Sequence, residues 1–157
     1  MSEITKFLKE ISKKPADKHF LSIYINSKGN AKLGDALVNL VYSIAKTLVT
    51  TDPTGVKVSD SILAEAYRES LWFKSSIVII KGNKGRVADA VEALILYFWV
   101  HENVSLNNLV IPIKEKLDEK YLHHPREEHK TAVKSFKNLL NSLYTIYQKS
   151  NHLTNKS

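Results

Sequence analysis

The stretch GRVADAVEALILYFWV, residues 85–100, decides how the chain is read. From Ala93 to Val100 eight consecutive residues are apolar, the composition of an element packed on every side. Asp89 and Glu92 stand just ahead of that run, with Ala90 and Val91 between them. On a helix these two acids are about one turn apart and leave the same face. Carrying a carboxylate into apolar surroundings is costly unless something compensates its charge. What compensates this pair is the question on which the function turns.

Working outward, the other segments also read mostly as helices. In KLGDALVNLVYSIAKTL (32–48), Leu33, Leu37, Leu40, Val41, Ile44 and Leu48 recur at three- and four-residue spacing, an amphipathic helix. Ile4, Phe7, Leu8 and Ile11 give one apolar face to a first helix. KHFLSIYI (18–25) fits either a helix or a strand. TDPTG (51–55) is a turn, and Ser59 is placed to cap the helix DSILAEAYRESLWF. SSIVIIKGNKG (75–85) is rich in β-branched residues and reads as a helix end plus a loop. Pro112 is expected to end or kink a helix. Val133, Phe136, Leu140, Leu143 and Tyr147 mark a last helix over about 126–149.

The organisation expected is a single all-α helical domain over 1–150 with a polar tail at 151–157. At 157 residues, 43% hydrophobic and 25% charged, the chain is ordinary for a soluble globular domain. It has no cysteine, which excludes disulfides and thiolate metal sites and suits a reducing compartment. MSEITKFLKEISKK lacks the apolar core of a signal peptide, and no apolar run is long enough to span a bilayer. A cytoplasmic protein with no membrane partner is expected. The formal charge of +7 favours a polyanionic partner, nucleic acid first.

Asp35, after Gly34, is the second unusual acid, and Asn39 shares its helical face four residues on. Oxygen donors from two helices, with no Cys and no His-x-x-x-His pair, suit a hard cation such as Mg²⁺ or Mn²⁺. Such an ion activates water and stabilises the charge that develops on a phosphodiester. The bland alternative is that Asp35 and Asp89 answer helix dipoles while Glu92 pairs with Arg86 or a distant lysine.

Other residues carry weaker signals. His123, His124 and His129, with Glu127 and Glu128, lack a fixed ligand spacing and read as an exposed loop. Trp72, Tyr97, Phe98 and Trp99 read as core, not as a base-stacking platform. Lys130, Lys134 and Lys137 read as a solvated face. No nucleophile elbow, P-loop or dinucleotide fingerprint is present.

Two segments together carry a resemblance. LGDALVNLVYSIAK (33–46) resembles the signature helix of the ribonuclease III family, which opens on Leu-Gly-Asp. GRVADAVEALILYFW (85–99) is similar to that family's Ala-Asp-x-x-Glu-Ala-Leu-Ile helix, and VSDSILAEAYRESL resembles the segment between the two. The likeness covers roughly 30–100 and is to the catalytic domain alone, of the archaeal or mini-ribonuclease III kind.

It implies an all-α fold, a homodimer and Mg²⁺-dependent (or Mn²⁺-dependent) cleavage of double-stranded RNA, each subunit cutting one strand. Carried over, Asp35, Asp89 and Glu92 fall on the catalytic metal-ligand positions. The pattern departs at Ala31 and Thr54, where classical members have acids; Asp60 and Glu65 are the candidates to compensate. No double-stranded-RNA-binding domain is expected, and Lys81, Lys84 and Arg86 are the expected phosphate contacts. Two rival readings stand beside this one. One is a catalytically inactive family-fold scaffold, for instance on ribosomal RNA. The other is an all-α metal-dependent nucleotide hydrolase.

Overall fold

The protein is described by a computed structural model over residues 2–12 and 19–154. Its helices are α1 (Glu3–Ile11), α2 (Phe20–Ile25), α3 (Lys28–Thr50), α4 (Asp60–Glu69), α5 (Leu71–Ser75), α6 (Lys84–His101), α7 (Leu106–Lys114) and α8 (Pro125–Thr154). A 3₁₀ turn at Glu119–Tyr121 precedes α8. Among the described residues there is no strand, so the all-α reading holds. KHFLSIYI resolves to helix from Phe20, and 76–83 is loop. None of the described helices is long and apolar enough to cross a membrane.

The apolar run of the opening segment is the axis of the molecule. Asn83 caps α6 by accepting the Arg86 N–H at 3.0 Å. From Ala90 to Phe98 every residue of α6 is buried. Helices α1, α2, α3, α4 and α8 all pack against it. Each large apolar side chain withdrawn from water here contributes about 1.5–3 kcal/mol. Trp72 is fully buried at the far side, its indole N–H donating to the Leu140 carbonyl at 2.8 Å. Its ring meets those of Phe98 and Tyr144 edge-on.

Residues 51–59 return along α3 as an extended segment gripped by side chains of that helix. The Thr47 hydroxyl bonds the Thr54 N–H at 3.1 Å, the Ser43 hydroxyl the Val56 N–H at 2.9 Å, and the Asn39 amide oxygen the Val58 N–H at 2.8 Å. The helix steps back four residues for every two of the segment. Those steps match, at about 6.0 Å along a helix and about 6.6 Å along an extended chain. The ladder ends at Ser59, which caps α4 by accepting from the Ile62 N–H at 3.4 Å.

Three expectations change. Of the expected apolar face of α1 only Leu8 packs on the core; Ile4, Phe7 and Ile11 are exposed, while Thr5 and Ser12 are buried. Polar bonds hold its end, Ser12 reaching Tyr24 at 3.0 Å and His101 meeting the Ser12 carbonyl at 2.6 Å. On α3, Leu33, Leu40 and Leu48 of the expected stripe are exposed, while Leu37 and Val41 are buried with Ala31, Gly34, Val38, Tyr42 and Ala45. α7 ends at Lys114, close after Pro112 as expected, and the Pro112 carbonyl is bonded by the Asn138 amide of α8 at 2.8 Å. The last helix also runs on to Thr154, into the stretch expected to be tail.

Candidate active site

Where α3 crosses α6, the two backbones touch. A Cβ placed on Gly34 would lie against the Glu92 carbonyl oxygen, and 3.1 Å from the Ala93 nitrogen. Only a residue with no side chain permits that approach. The crossing sets Asp35, next along α3, beside Glu92.

A cavity of about 380 Å³ opens at this crossing. Asp35, Asp60, Asp89 and Glu92 all line it, so the three acids singled out in the sequence share one space. Lys28, Lys32 and Lys57 stand on its rim. A neighbouring cavity of about 360 Å³ shares Lys28, Ala31 and Asp89 and extends to Asn83 and Arg86. Asp60 and Asp89 are exposed, Asp35 is half-buried and Glu92 is 95% buried (5% exposed).

The electrostatics at Glu92 are those of a carboxyl buried beside other acids. Burial pushes the Glu92 carboxyl up to about 8, against the ordinary 4.5. The charges of Asp35 and Asp89, a hydrogen bond with Asp35 and the charge of Asp60 push the same way. Among the described residues no lysine or arginine forms an ion pair with any of the four acids. Asp35 is steadied by a neutral group, the Asn39 amide donating to it at 3.1 Å while the same side chain holds Val58.

The bland accounts of these acids do not describe the molecule. Asp35 lies well inside α3, which starts at Lys28, and Asp89 is beyond the first turn of α6. Helix-dipole stabilisation fades within that turn. The Arg86 side chain lies over Gly82, which has a φ of 129°, and forms no ion pair with Glu92.

Among the described residues no three acidic or imidazole groups form a ready-made metal cage. The donor set nevertheless fits a hard divalent ion. It is all oxygen, four carboxylates line one cavity, and the most buried of them has no cationic partner among the described residues. Mg²⁺ keeps several waters and takes only one or two carboxylates directly. A site for it can therefore be wider than a closed cage.

Of the two acids considered as compensation, Asp60 reaches the cavity and Glu65 does not. Glu65 meets His129 at 3.1 Å instead. Glu128 is also engaged, accepting from Lys46 at 2.6 Å and Tyr42 at 3.1 Å, so the histidine-rich segment ties α8 to α3 and α4. Lys81, Lys84 and Arg86 are exposed at the start of α6. Sequence reasoning missed Lys28, Lys32 and Lys57. Lys28 and Lys32 occupy successive turns at the head of α3, a signal that spacing from Asp35 offers. Lys57 depends on the ladder, which no periodicity reveals.

Residues 28–148 match the family model described as Ribonuclease III. Among curated proteins, no sequence matches the chain. The matched region contains the α3–α6 crossing, the acidic cavity and its lysine rim, and it extends through most of α8. This chain belongs to the ribonuclease III family.

Proposed function

We propose that the chain is an endoribonuclease that hydrolyses phosphodiester bonds of double-stranded or structured RNA with Mg²⁺ or Mn²⁺. One observation carries this reading: a buried glutamate, Glu92, opens into a cavity shared with three aspartates and has no cationic partner among the described residues. Asp35, Asp89 and Glu92 hold the cation. When bound, the ion supplies an acidified water and positive charge against the phosphate. Asn39 keeps the Asp35 carboxylate turned into the cavity, and the lysine rim draws the RNA backbone over it. Water adds to phosphorus in line with the 3′ oxygen, and the P–O3′ bond breaks to leave 5′-phosphate and 3′-hydroxyl ends.

Lys81, Lys84 and Arg86 extend the phosphate-contacting surface from the start of α6. A homodimer is the proposed working form, each copy cutting one strand. Its support is the exposed stripe of Leu33, Leu40 and Leu48 on α3, with half-buried Ile44 between them. The compartment proposed is the cytoplasm.

A second reading, an RNA-binding scaffold without activity, draws on Ala31, a buried small residue on the cavity wall where an additional acid would point inward. The deciding experiment incubates a long RNA duplex with the protein and Mg²⁺ or Mn²⁺, beside Asp89→Asn and Glu92→Gln. Cleavage by the unmodified chain alone supports the enzyme. Equal inertness of all three, with salt-sensitive RNA binding intact, selects the scaffold.

A further inference from the structure

We infer that Asp60 is a fourth carboxylate of the cation site, holding one of the ion's waters, and that it is delivered there from α4 by the ladder along α3. The inference rests on the proposed metal-dependent reading and adds to it a residue from a third helix.

The register of the ladder points directly at this residue. Its rungs join 47 to 54, 43 to 56 and 39 to 58, each rung moving four residues back on α3 and two forward on the segment. The next rung in that series joins residue 35 to residue 60. Both are aspartates, and both line the acidic cavity. Asn39 makes the last rung and also bonds Asp35, so one amide fixes both ends of the pair's support.

A second observation places the Asp60 carboxylate from the opposite side. A Cβ on Gly85 would lie 3.6 Å from Asp60 Oδ2. Gly85 is in the first turn of α6, and Asp89 follows one turn later on the same face. Asp60 therefore stands between the Asp35 and Asp89 walls of the cavity. Glu92, 95% buried (5% exposed), opens into the same space with no cationic partner among the described residues, which points to a cation as what the space holds. Asp60 itself forms no ion pair among the described residues, in contrast to Glu65 on the same helix.

The test is titration of the metal-free chain with Mn²⁺, followed by calorimetry and by the loss of the free-ion paramagnetic resonance signal. Asp60→Asn, Asp89→Asn and Glu65→Gln are compared with the unmodified chain, and circular dichroism verifies that each folds. Asp60→Asn is expected to weaken Mn²⁺ binding about tenfold, the lower end of what losing a group around a bound metal costs. Glu65→Gln is expected to bind as the unmodified chain does. If Asp89→Asn loses affinity while Asp60→Asn keeps it, this inference is overturned and the metal-dependent reading stands. If the unmodified chain takes up no Mn²⁺, both fall.

Discussion

Gly34 rests directly on the backbone of Glu92, so the position of one site carboxylate is set by a hydrogen atom on another helix. Gly34→Ala forces a methyl into the Glu92 carbonyl, and because both partners are helix backbone neither can turn aside. Overpacking of a core costs about 1–3 kcal/mol, and this crossing belongs at the upper end. Thermal unfolding should shift down by roughly 2–4 °C for each kcal/mol of destabilisation. RNA cleavage should fall further than stability does, since Asp35 moves away from Glu92. An alanine variant with unchanged melting and cleavage would contradict the close crossing.

The Glu92 carboxyl makes the metal-free protein sensitive to pH. Its folded value of about 8 lies above the ordinary 4.5, so the folded state binds the proton more tightly than the unfolded chain. Stability is therefore fully present below about 4.5, declines as pH rises from there, and levels off above about 8. Glu92→Gln should flatten that decline, and saturating Mg²⁺ should reverse it. Melting curves from pH 5 to 9, without and with Mg²⁺, measure both effects.

Charge neutralisation at Lys81, Lys84 and Arg86 should weaken RNA binding without regard to sequence. For every phosphate no longer neutralised, the slope of log K against log salt becomes shallower by about 0.9 on the B-DNA scale. Binding isotherms of the triple alanine variant at several salt concentrations report the change. An unaltered slope would return these side chains to the solvent.

Leu40→Glu places a charge on the exposed stripe of α3 without entering the core. Sedimentation equilibrium should find the unmodified chain paired and the variant single, with the same helical circular dichroism. If the unmodified chain sediments as a single copy even at high concentration, the stripe is not a self-association surface.

The core of this fold could be read from residues 85–100, because an apolar run that long has to be central. The convergence of Asp35, Asp89 and Glu92 was carried by the two family-like segments, which fixed the pairing of helices that periodicity leaves open. Sidedness was only partly legible. Leu37 and Val41 of the α3 stripe are buried as read, but Leu33, Leu40 and Leu48 are exposed, and so is the Ile4–Phe7–Ile11 side of α1. The buried side of α3 also holds small residues, Ala31, Gly34 and Ala45, whose contribution is close approach and not bulk. Hydropathy ranks such residues low, so it set the centre of the stripe too far toward the outer face. Asp60 could not be told from Glu65 for a related reason: what places it is hydrogen bonding to main-chain groups of 54, 56 and 58, and those groups are the same in every residue but proline.

That last point makes the connector after α3 tolerant in composition at 54 and 55 and strict in length. Thr54 and Gly55 could be exchanged while Thr47, Ser43 and Asn39 kept their grip on the amides, whereas Val56 and Val58 pack on the core and Lys57 lines the cavity. Adding or removing a single residue would throw those amides out of phase and turn the head of α4 away from the acids it faces. Among natural variants of this chain, substitutions should accumulate at 54 and 55 and insertions should not.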